Sequence, residues 1–135
     1  MEPAAFKLID YNFSKTIIDY TYHREGDLDI NFDVEGKYNN DESRFYLSFE
    51  VLAIDEESNN SFISVSCQGI FEFKNVEKFE DIPNFFYVNS IAILFPYVRS
   101  YISTVTVQSN IKPIILPTLN LTPLAKLLKD SSKEL

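Results

Sequence analysis

Histidine, cysteine, glycine and tryptophan are scarce in this chain, whose 135 residues include one His, one Cys, three Gly and no Trp. The single cysteine, Cys67, excludes an internal disulfide. A Cys/His nucleophile pair would require Cys67 to meet His23. We instead place Cys67 in the core, because it lies on the apolar side of an alternating segment, and His23 in an exposed turn. Three glycines also leave little room for a glycine-rich phosphate loop.

The sequence also contains little that would support a metal site or acid–base catalysis. A zinc site needs several more soft ligands than the chain has, and no calcium loop with acids, Asn and Gly at the required spacing is present. Asp27 and Asp29 are paired acids, but they alternate along an open sheet face, where carboxylates stay ionised and inert. We therefore predict no catalytic residue, no metal, no cofactor and no enzymatic activity.

The composition is that of a folded domain with an acidic surface. Hydrophobic residues make up 45% of the chain, so a core can form without metal or disulfide, and the length predicts one domain over residues 1–135. The start Met1-Glu2-Pro3 lacks the features of a signal peptide, so we expect a cytoplasmic protein. A net charge of −8 argues against nucleic acid as a partner. Residues 25–57 contain eleven acids and two bases, which favours either a solvated sheet face or a docking surface.

Period-two alternation predicts four strands. A long, irregular strand is expected over residues 5–20, and three regular ones follow within 27–35, 45–53 and 63–73. In the second segment Leu28, Ile30, Phe32 and Val34 alternate with polar, mostly acidic residues, so one face is apolar and the other acidic. Short polar turns between the strands favour an antiparallel meander with one wet face.

The alternation ends after Lys74 and a helical segment follows. Asp81-Ile82-Pro83 predicts a capped helix start, and residues 85–107 are apolar on most faces. A four-stranded sheet covers only one side of such a helix, so we infer that a second copy of the protein covers the other. A membrane span is the alternative, but Arg99 and several polar residues interrupt the run, and we predict no membrane insertion.

Prolines shape the last third of the chain. Pro96 predicts a kink near residues 92–94, since it removes one helical hydrogen bond. Residues 111–120 form an extended but apolar loop, and Thr122-Pro123 predicts a cap and first turn for a short second helix. Residues 130–135 are expected to fray.

Two runs carry a resemblance to a known family. Leu94-Phe95-Pro96-Tyr97-Val98-Arg99 lies in the long helix, and Pro117-Thr118-Leu119-Asn120-Leu121-Thr122-Pro123 precedes the last one. The pair resembles the SecB family of bacterial export chaperones, with Val98 where the family most often has Ala. Gln68-Gly69-Ile70-Phe71 also resembles the end of the family's fourth strand.

The resemblance implies both a fold and a function. The expected fold is α+β: a four-stranded antiparallel meander sheet followed by a long kinked helix and a short C-terminal helix. The expected assembly is a homotetramer built as a dimer of dimers. The expected function is ATP-independent holding of unfolded polypeptides, with preproteins for export as the clients and a SecA-type motor as a further partner.

Three groups of residues are predicted to carry these contacts. An apolar lid and nearby aromatics are predicted to bind polypeptide: Ile114, Ile115, Leu116, Leu119, Leu121, Leu124, Leu127, Leu128, Tyr46 and Phe62. Residues of the long helix are predicted to contact a second copy: Tyr87, Ile91, Leu94, Tyr97, Val98 and Tyr101. Asp10, Asp29 and Asp33 are the acids that the resemblance assigns to motor docking.

Two other functions remain open on the sequence alone. The first is a dedicated chaperone or adaptor for one client, such as an antitoxin. The second is a structural oligomer without a client, in which subunit packing consumes the whole apolar lid. A closed, dry interface would favour the structural oligomer, and tight binding of one short apolar peptide would favour the dedicated chaperone.

Overall fold

The computed structural model describes residues 3–22 and 27–135. The predicted turn at residues 22–27, with His23, lies mostly outside these residues. The α+β fold, with antiparallel strands followed by a long helix and a short one, is confirmed. In chain order the elements are β1 Ala5–Ile18, β2 Leu28–Asn39, β3 Arg44–Asp55, β4 Ser61–Lys74, α1 Asn84–Gln108, α2 Leu121–Ser131 and β5 Lys133–Glu134, with 3₁₀ turns at Tyr20–Tyr22 and Phe79–Asp81.

The strand order differs from a simple meander at the first strand. Neighbouring strands follow the order β1-β4-β3-β2-β5, so only β2, β3 and β4 form the predicted meander. Short turns at residues 40–43 and 56–60 hold these three as consecutive hairpins, whereas the longer link 19–27 allows β1 to pair with β4. The result is a Greek-key order. The expected frayed end is also wrong, because Lys133 and Glu134 pair in parallel with Lys37 and Tyr38 of β2.

Two bulges explain why the first strand reads as irregular. The register of β1 against β4 shifts between Leu8 and Asp10 and again between Phe13 and Lys15. Each shift inserts one extra residue and moves the following side chains to the other face. The helix side of β1 is therefore occupied by Phe6, Leu8, Tyr11, Phe13, Thr16 and Ile18, which no single parity of the sequence contains.

Both helices begin at residues other than those predicted. Helix α1 starts at Asn84 with Pro83 as its N-cap, so the Asp81 cap is wrong; residues 79–81 form a 3₁₀ turn instead. Helix α2 starts at Leu121 with Asn120 as its N-cap, which places Thr122 inside the first turn. Pro96 lies within α1, and the kink near residues 92–94 stays a prediction.

The core lies between the sheet and α1. Phe86 occupies the centre of an aromatic cluster, with ring centroids 4.7 Å from Phe45 and Phe73 and 4.8 Å from Phe6. Further along, Leu94 approaches β4 at Gly69, where an added Cβ would lie 3.1 Å from a Leu94 methyl. Glycine at this position therefore lets the helix lie close to the sheet.

Helix α1 is long and apolar enough to cross a membrane by length and composition, and it is the one such helix in the described part of the chain. A third of its most apolar window is buried inside the chain. Its buried side chains pack in the same core cluster as the sheet residues. This is the arrangement of a core helix with one face left open.

Candidate functional site

The segment joining the two helices, residues 109–120 (the connector), is fastened to the end of α1. Thr106 is fully buried, and its hydroxyl Oγ1 accepts a hydrogen bond from the Ile114 backbone N–H at 3.1 Å. The same hydroxyl lies 2.9 Å from the Ile102 carbonyl, to which it donates. Ser103 Oγ donates to the Ile114 carbonyl at 3.0 Å. These bonds hold the middle of the connector, at Ile114, against the last turns of α1.

Helix α2 closes the other end of the same region. Its Lys129 Nζ donates to Asn84 Oδ1 at 2.6 Å, at the start of α1. Ser131 Oγ donates to the Val34 carbonyl of β2 at 3.3 Å. Helix α2 therefore packs against both α1 and β2, and the connector leads into it from the far end of α1.

A set of half-buried apolar side chains follows this junction, and we call it the apolar strip. Phe32 of β2 lies against Phe95 of α1, with ring centroids 6.1 Å apart. All members pack against the core but keep part of their surface exposed. The apolar strip consists of Leu28, Ile30 and Phe32 from β2, Phe95 from α1, Ile114 and Leu119 from the connector, and Leu121 and Leu124 from α2.

The predicted lid residues divide into three groups. Ile114, Leu119, Leu121 and Leu124 belong to the apolar strip. Ile115 and Leu127 are exposed, by 71% and 41%, and flank it. Leu116 and Leu128 are buried core residues, so their prediction as contact residues is wrong: both side chains are consumed in packing the connector and α2 onto the domain.

The two predicted aromatics are not part of this junction. Tyr46 points to the outer face of the sheet, where its hydroxyl lies 3.3 Å from Glu42 Oε1. Phe62 is 1% exposed and stacks edge-on to Tyr20, with ring centroids 6.3 Å apart. A register irregularity between β3 and β4 occurs beside Phe62, and the side chain is buried instead of free to bind a client.

The predicted subunit contacts also need correction. Tyr87, Ile91, Leu94 and Val98 are buried within their own chain, so they cannot offer a surface to a second copy. Burial raises the pKa of Tyr87. Tyr97 is 43% exposed and stacks on Tyr11 at 4.4 Å. Tyr101 is half-buried; its ring stacks on Phe13 at 3.8 Å, and its hydroxyl lies 2.7 Å from Thr16 Oγ1.

The opposite side of α1 is apolar and exposed, and we call it the outer helix surface. Phe85 is 50% exposed, and its neighbours on the same side keep comparable exposure. This surface covers the first half of the helix, before Arg99. It consists of Phe85, Val88, Ala92, Ile93, Pro96 and Tyr97.

The three acids assigned to motor docking do not come together. Asp29 and Asp33 lie on the outer face of β2, but Asp10 lies on β1. Cross-strand pairing places Asp10 in the row of Lys37, about 14 Å across the sheet, and that row is about 13 Å along from Asp33.

A more compact acidic group was missed. Asp33 pairs directly with Glu50, and Glu35 lies on the same face of β2. Glu35 and Glu50 border a shallow depression of about 330 Å³ on the outer sheet face. The alternation of 27–35 already places Glu35 beside Asp33, but only the register brings Glu50 opposite.

Chemistry at the remaining candidate groups is limited. Cys67 is 2% exposed, and burial raises the pKa of its thiol to about 11, so the reactive thiolate is disfavoured at neutral pH. Among residues 3–22 and 27–135, no three His, Cys, Asp or Glu side chains are grouped so that they could hold a metal ion. The candidate site therefore offers other molecules mainly apolar surface.

The strip residues of β2 and α1 were also missed as contact residues. Leu28, Ile30 and Phe32 were predicted as the apolar face of a strand, and Phe95 as part of the helix. Only the position of β2 next to the two-residue strand β5, and the position of α2, reveal that these side chains stay partly exposed.

Comparison of this sequence with known proteins identifies a family and several relatives. The family described as "Preprotein translocase subunit SecB" matches residues 10–128. An uncharacterized protein of Methanocaldococcus jannaschii is 37% identical over 97 residues, which is 69% of this chain and 62% of the relative. The protein-export protein SecB of Magnetococcus marinus is 30% identical over 104 residues, 75% of this chain and 65% of the relative. The chain thus spans less than two thirds of the length of these two relatives.

A solved structure shows the same fold. The Mycobacterium tuberculosis SecB-like chaperone Rv1957, in complex with a ChAD peptide from the HigA1 antitoxin, superimposes with a TM-score of 0.64 at 16% identity, covering 85% of this chain and 91% of that one. With most of the sequence matched by the family and the elements in the same arrangement, the chain belongs to the SecB family.

Proposed function

We propose that this protein is a chaperone that binds unfolded polypeptide segments along the apolar strip and holds them without ATP. The observation that carries the proposal is the strip itself. Eight apolar side chains from four elements pack against one core and still keep exposed surface. Apolar side chains that stay partly exposed beside one another favour a contact with another polypeptide, since leaving apolar area in water is unfavourable.

The shape of the strip suits many clients. The connector has little secondary structure, and its Ile115 is the most exposed large hydrophobic residue in the described part of the chain. Apolar surfaces on loops can repack around different sequences, which favours promiscuous binding. The net charge of −8 keeps such a surface soluble.

Assembly is a second part of the proposal. The outer helix surface is apolar and open, and Tyr11 of β1 extends it through the stack on Tyr97. We expect a second copy to cover this surface, in the homotetramer, a dimer of dimers, that the family resemblance implies. Several linked strips then bind one extended client with greater avidity than one strip alone.

The location and the motor follow from the family and stand as proposals. We expect a cytoplasmic protein whose clients include preproteins for export, with a SecA-type motor as partner. Because Asp10 is remote from Asp29 and Asp33, we place the docking surface on β2 and β3, where Asp33 lies opposite Glu50.

A dedicated chaperone for one antitoxin is the second candidate. It is favoured by the bound ChAD peptide of an antitoxin on the similarly folded M. tuberculosis chaperone. A client peptide that binds far more tightly than other unfolded chains would distinguish this function from general holding.

Suppression of aggregation tests the main proposal. Denatured malate dehydrogenase diluted into the protein should aggregate less than in buffer, in the absence of ATP. Ile30→Ser in the strip should weaken this effect, and Ile17→Ser, which changes an exposed isoleucine of β1 outside the strip, should not. Equal aggregation with and without the wild-type protein would contradict the proposal.

A further inference from the structure

The charges of this chain are divided between its sheet and its helices. Residues 1–81, which include β1 to β4, contain eighteen acids and seven bases. Residues 82–135, which include both helices and the connector, contain two acids and five bases, and the stretch 82–129 has no acid. The helical side of the molecule is therefore basic, although the whole chain carries a net charge of −8.

Three of the five helical-side bases are engaged elsewhere or lie apart from the apolar strip. Lys129 Nζ donates to Asn84 Oδ1. Lys126 forms an ion pair with Asp130, with 3.4 Å between Nζ and Oδ2. Lys133 lies in β5, whose pairing with β2 begins at residue 37, beyond the strip residues of that strand. Arg99 and Lys112 remain.

Arg99 lies beside the apolar strip on α1. It is exposed, and it follows the strip residue Phe95 by four positions, which places the two side chains next to each other on one side of the helix. Four positions further on, Ser103 donates to the carbonyl of Ile114, another strip residue. Arg99 therefore lies between Phe95 and the point where the connector is attached to α1.

Lys112 borders the strip from the connector. It is exposed and lies two residues before Ile114, whose N–H donates to Thr106 Oγ1. Neither Lys112 nor Arg99 has a side-chain hydrogen bond or an ion pair to another residue within 3–22 and 27–135. The helical side of the strip is thus bordered by two cations whose charge is not neutralised by a neighbouring carboxylate in that part of the chain.

The acids of β2 lie on the other face of the sheet. Leu28, Ile30 and Phe32 belong to the strip, so strand alternation directs Asp29 and Asp33 to the outer face. At physiological salt, interactions between exposed charges are largely screened beyond about 8 Å. A segment bound on the strip is therefore influenced mainly by the bases of the helical side.

We infer that the preferred clients are apolar segments flanked by acidic residues, whose carboxylates pair with Arg99 and Lys112; this inference rests on the proposed chaperone function. The Arg99 guanidinium can bind a carboxylate through two N–H groups at once. Apolar contact with the strip is available to every client, whereas complementary charge selects among them. A basic flank would face like charges and would be disfavoured.

Three labelled peptides with one shared apolar core test the inference. The core is flanked at both ends by Glu in the first peptide, by Gln in the second and by Lys in the third. At 0.15 M NaCl, fluorescence anisotropy should show the Glu peptide binding roughly three- to tenfold more tightly than the Gln peptide, and the Lys peptide binding most weakly. At 1 M NaCl, where the Debye length is about 3 Å, the affinities of the Glu and Lys peptides should converge.

Substitution of the two bases assigns the preference to them. Arg99→Gln and Lys112→Gln should each reduce the preference for the Glu peptide over the Gln peptide and leave affinity for the Gln peptide unchanged. Lys74→Gln removes an exposed base at the end of β4 and is the matched control, which should keep the full preference. Lys112 lies on the connector and not on the outer helix surface, so its variant reports on client charge independently of assembly.

The outcomes separate this inference from the function on which it rests. Equal binding of the Glu and Lys peptides, tighter binding of the Lys peptide, or a preference unchanged in both Arg99→Gln and Lys112→Gln would overturn the acidic preference while leaving client binding intact. If all three peptides and unfolded malate dehydrogenase failed to bind, the chaperone function itself would be contradicted, and the client preference with it.

Discussion

Tyr38 is completely buried although its side chain ends in a polar hydroxyl. It projects from β2 into the aromatic core, and its ring centroid lies 5.8 Å from that of Phe73. Its hydroxyl has no hydrogen-bond partner among the described residues; Ser43 is nearby but makes no bond of good geometry. Burial raises the pKa of Tyr38. A buried hydroxyl without a partner destabilises the fold.

Tyr38→Phe should therefore raise the free energy of unfolding, by about 1 kcal/mol, because it removes the unsatisfied hydroxyl and keeps the ring. Urea denaturation measures the change. Tyr38→Ala is the matched control and should lose about 3–5 kcal/mol through the cavity it creates. A loss of more than about 1 kcal/mol in Tyr38→Phe would show that the hydroxyl finds a partner in solution.

The burial of Cys67 should make the free energy of unfolding fall at alkaline pH. The folded state raises the pKa of this thiol from 9.0 to about 11. Its contribution to stability is therefore complete below pH 9 and is lost as the pH rises through 11, where the folded state must also accommodate a thiolate. Cys67→Ala should have a shallower fall in unfolding free energy between pH 9 and 11. An identical fall in both proteins would contradict this assignment.

At the scale of elements, the periodicity of apolar residues predicts those strands that keep the same side chains facing the core along their whole length. β2, β3 and β4 follow from alternation because each has one core face and one outer face. β1 does not, since its bulges after Leu8 and Phe13 change the parity twice within one strand. β5 has only two residues, and its pairing with β2 depends on where α2 ends.

When apolar residues occur on every side of a helix, the sequence pattern cannot show which side faces the core. Helix α1 was predicted correctly as apolar on both sides. However, Ile91 and Leu94 were assigned to contact with a second copy, whereas they are buried against the sheet of their own chain. Phe85 and Ile93, which remain exposed, were not assigned. The apolar strip likewise depends on the arrangement of four elements, which no local pattern of the sequence encodes.

The connector offers a prediction at the same scale. Thr106→Val replaces the hydroxyl by a methyl and leaves the Ile114 N–H without the 3.1 Å acceptor, so the unfolding free energy should fall by about 1–2 kcal/mol. Hydrogen exchange at the Ile114 amide should also become faster. Thr104→Val, an exposed position on the same helix, is the control and should change neither. Unchanged exchange at Ile114 in Thr106→Val would contradict the role of this hydroxyl.

At the scale of the whole molecule, the outer helix surface predicts self-association. The wild-type protein should sediment as a tetramer at micromolar concentration. Ile93→Asp should yield smaller species, because a charge in an apolar interface is costly to desolvate. Ile17→Asp changes an isoleucine of similar exposure on β1 and should leave the mass unchanged. A stable wild-type monomer would contradict the assignment of this surface.

The most direct test of client binding is the mass of the assembly with an unfolded polypeptide. Native mass spectrometry of the protein mixed with reduced, carboxymethylated α-lactalbumin should show a complex of the oligomer with this permanently unfolded chain, and Ile30→Ser should reduce its abundance. Folded α-lactalbumin should give no complex. Absence of the complex with the unfolded chain, at concentrations where the oligomer itself is intact, would contradict the account.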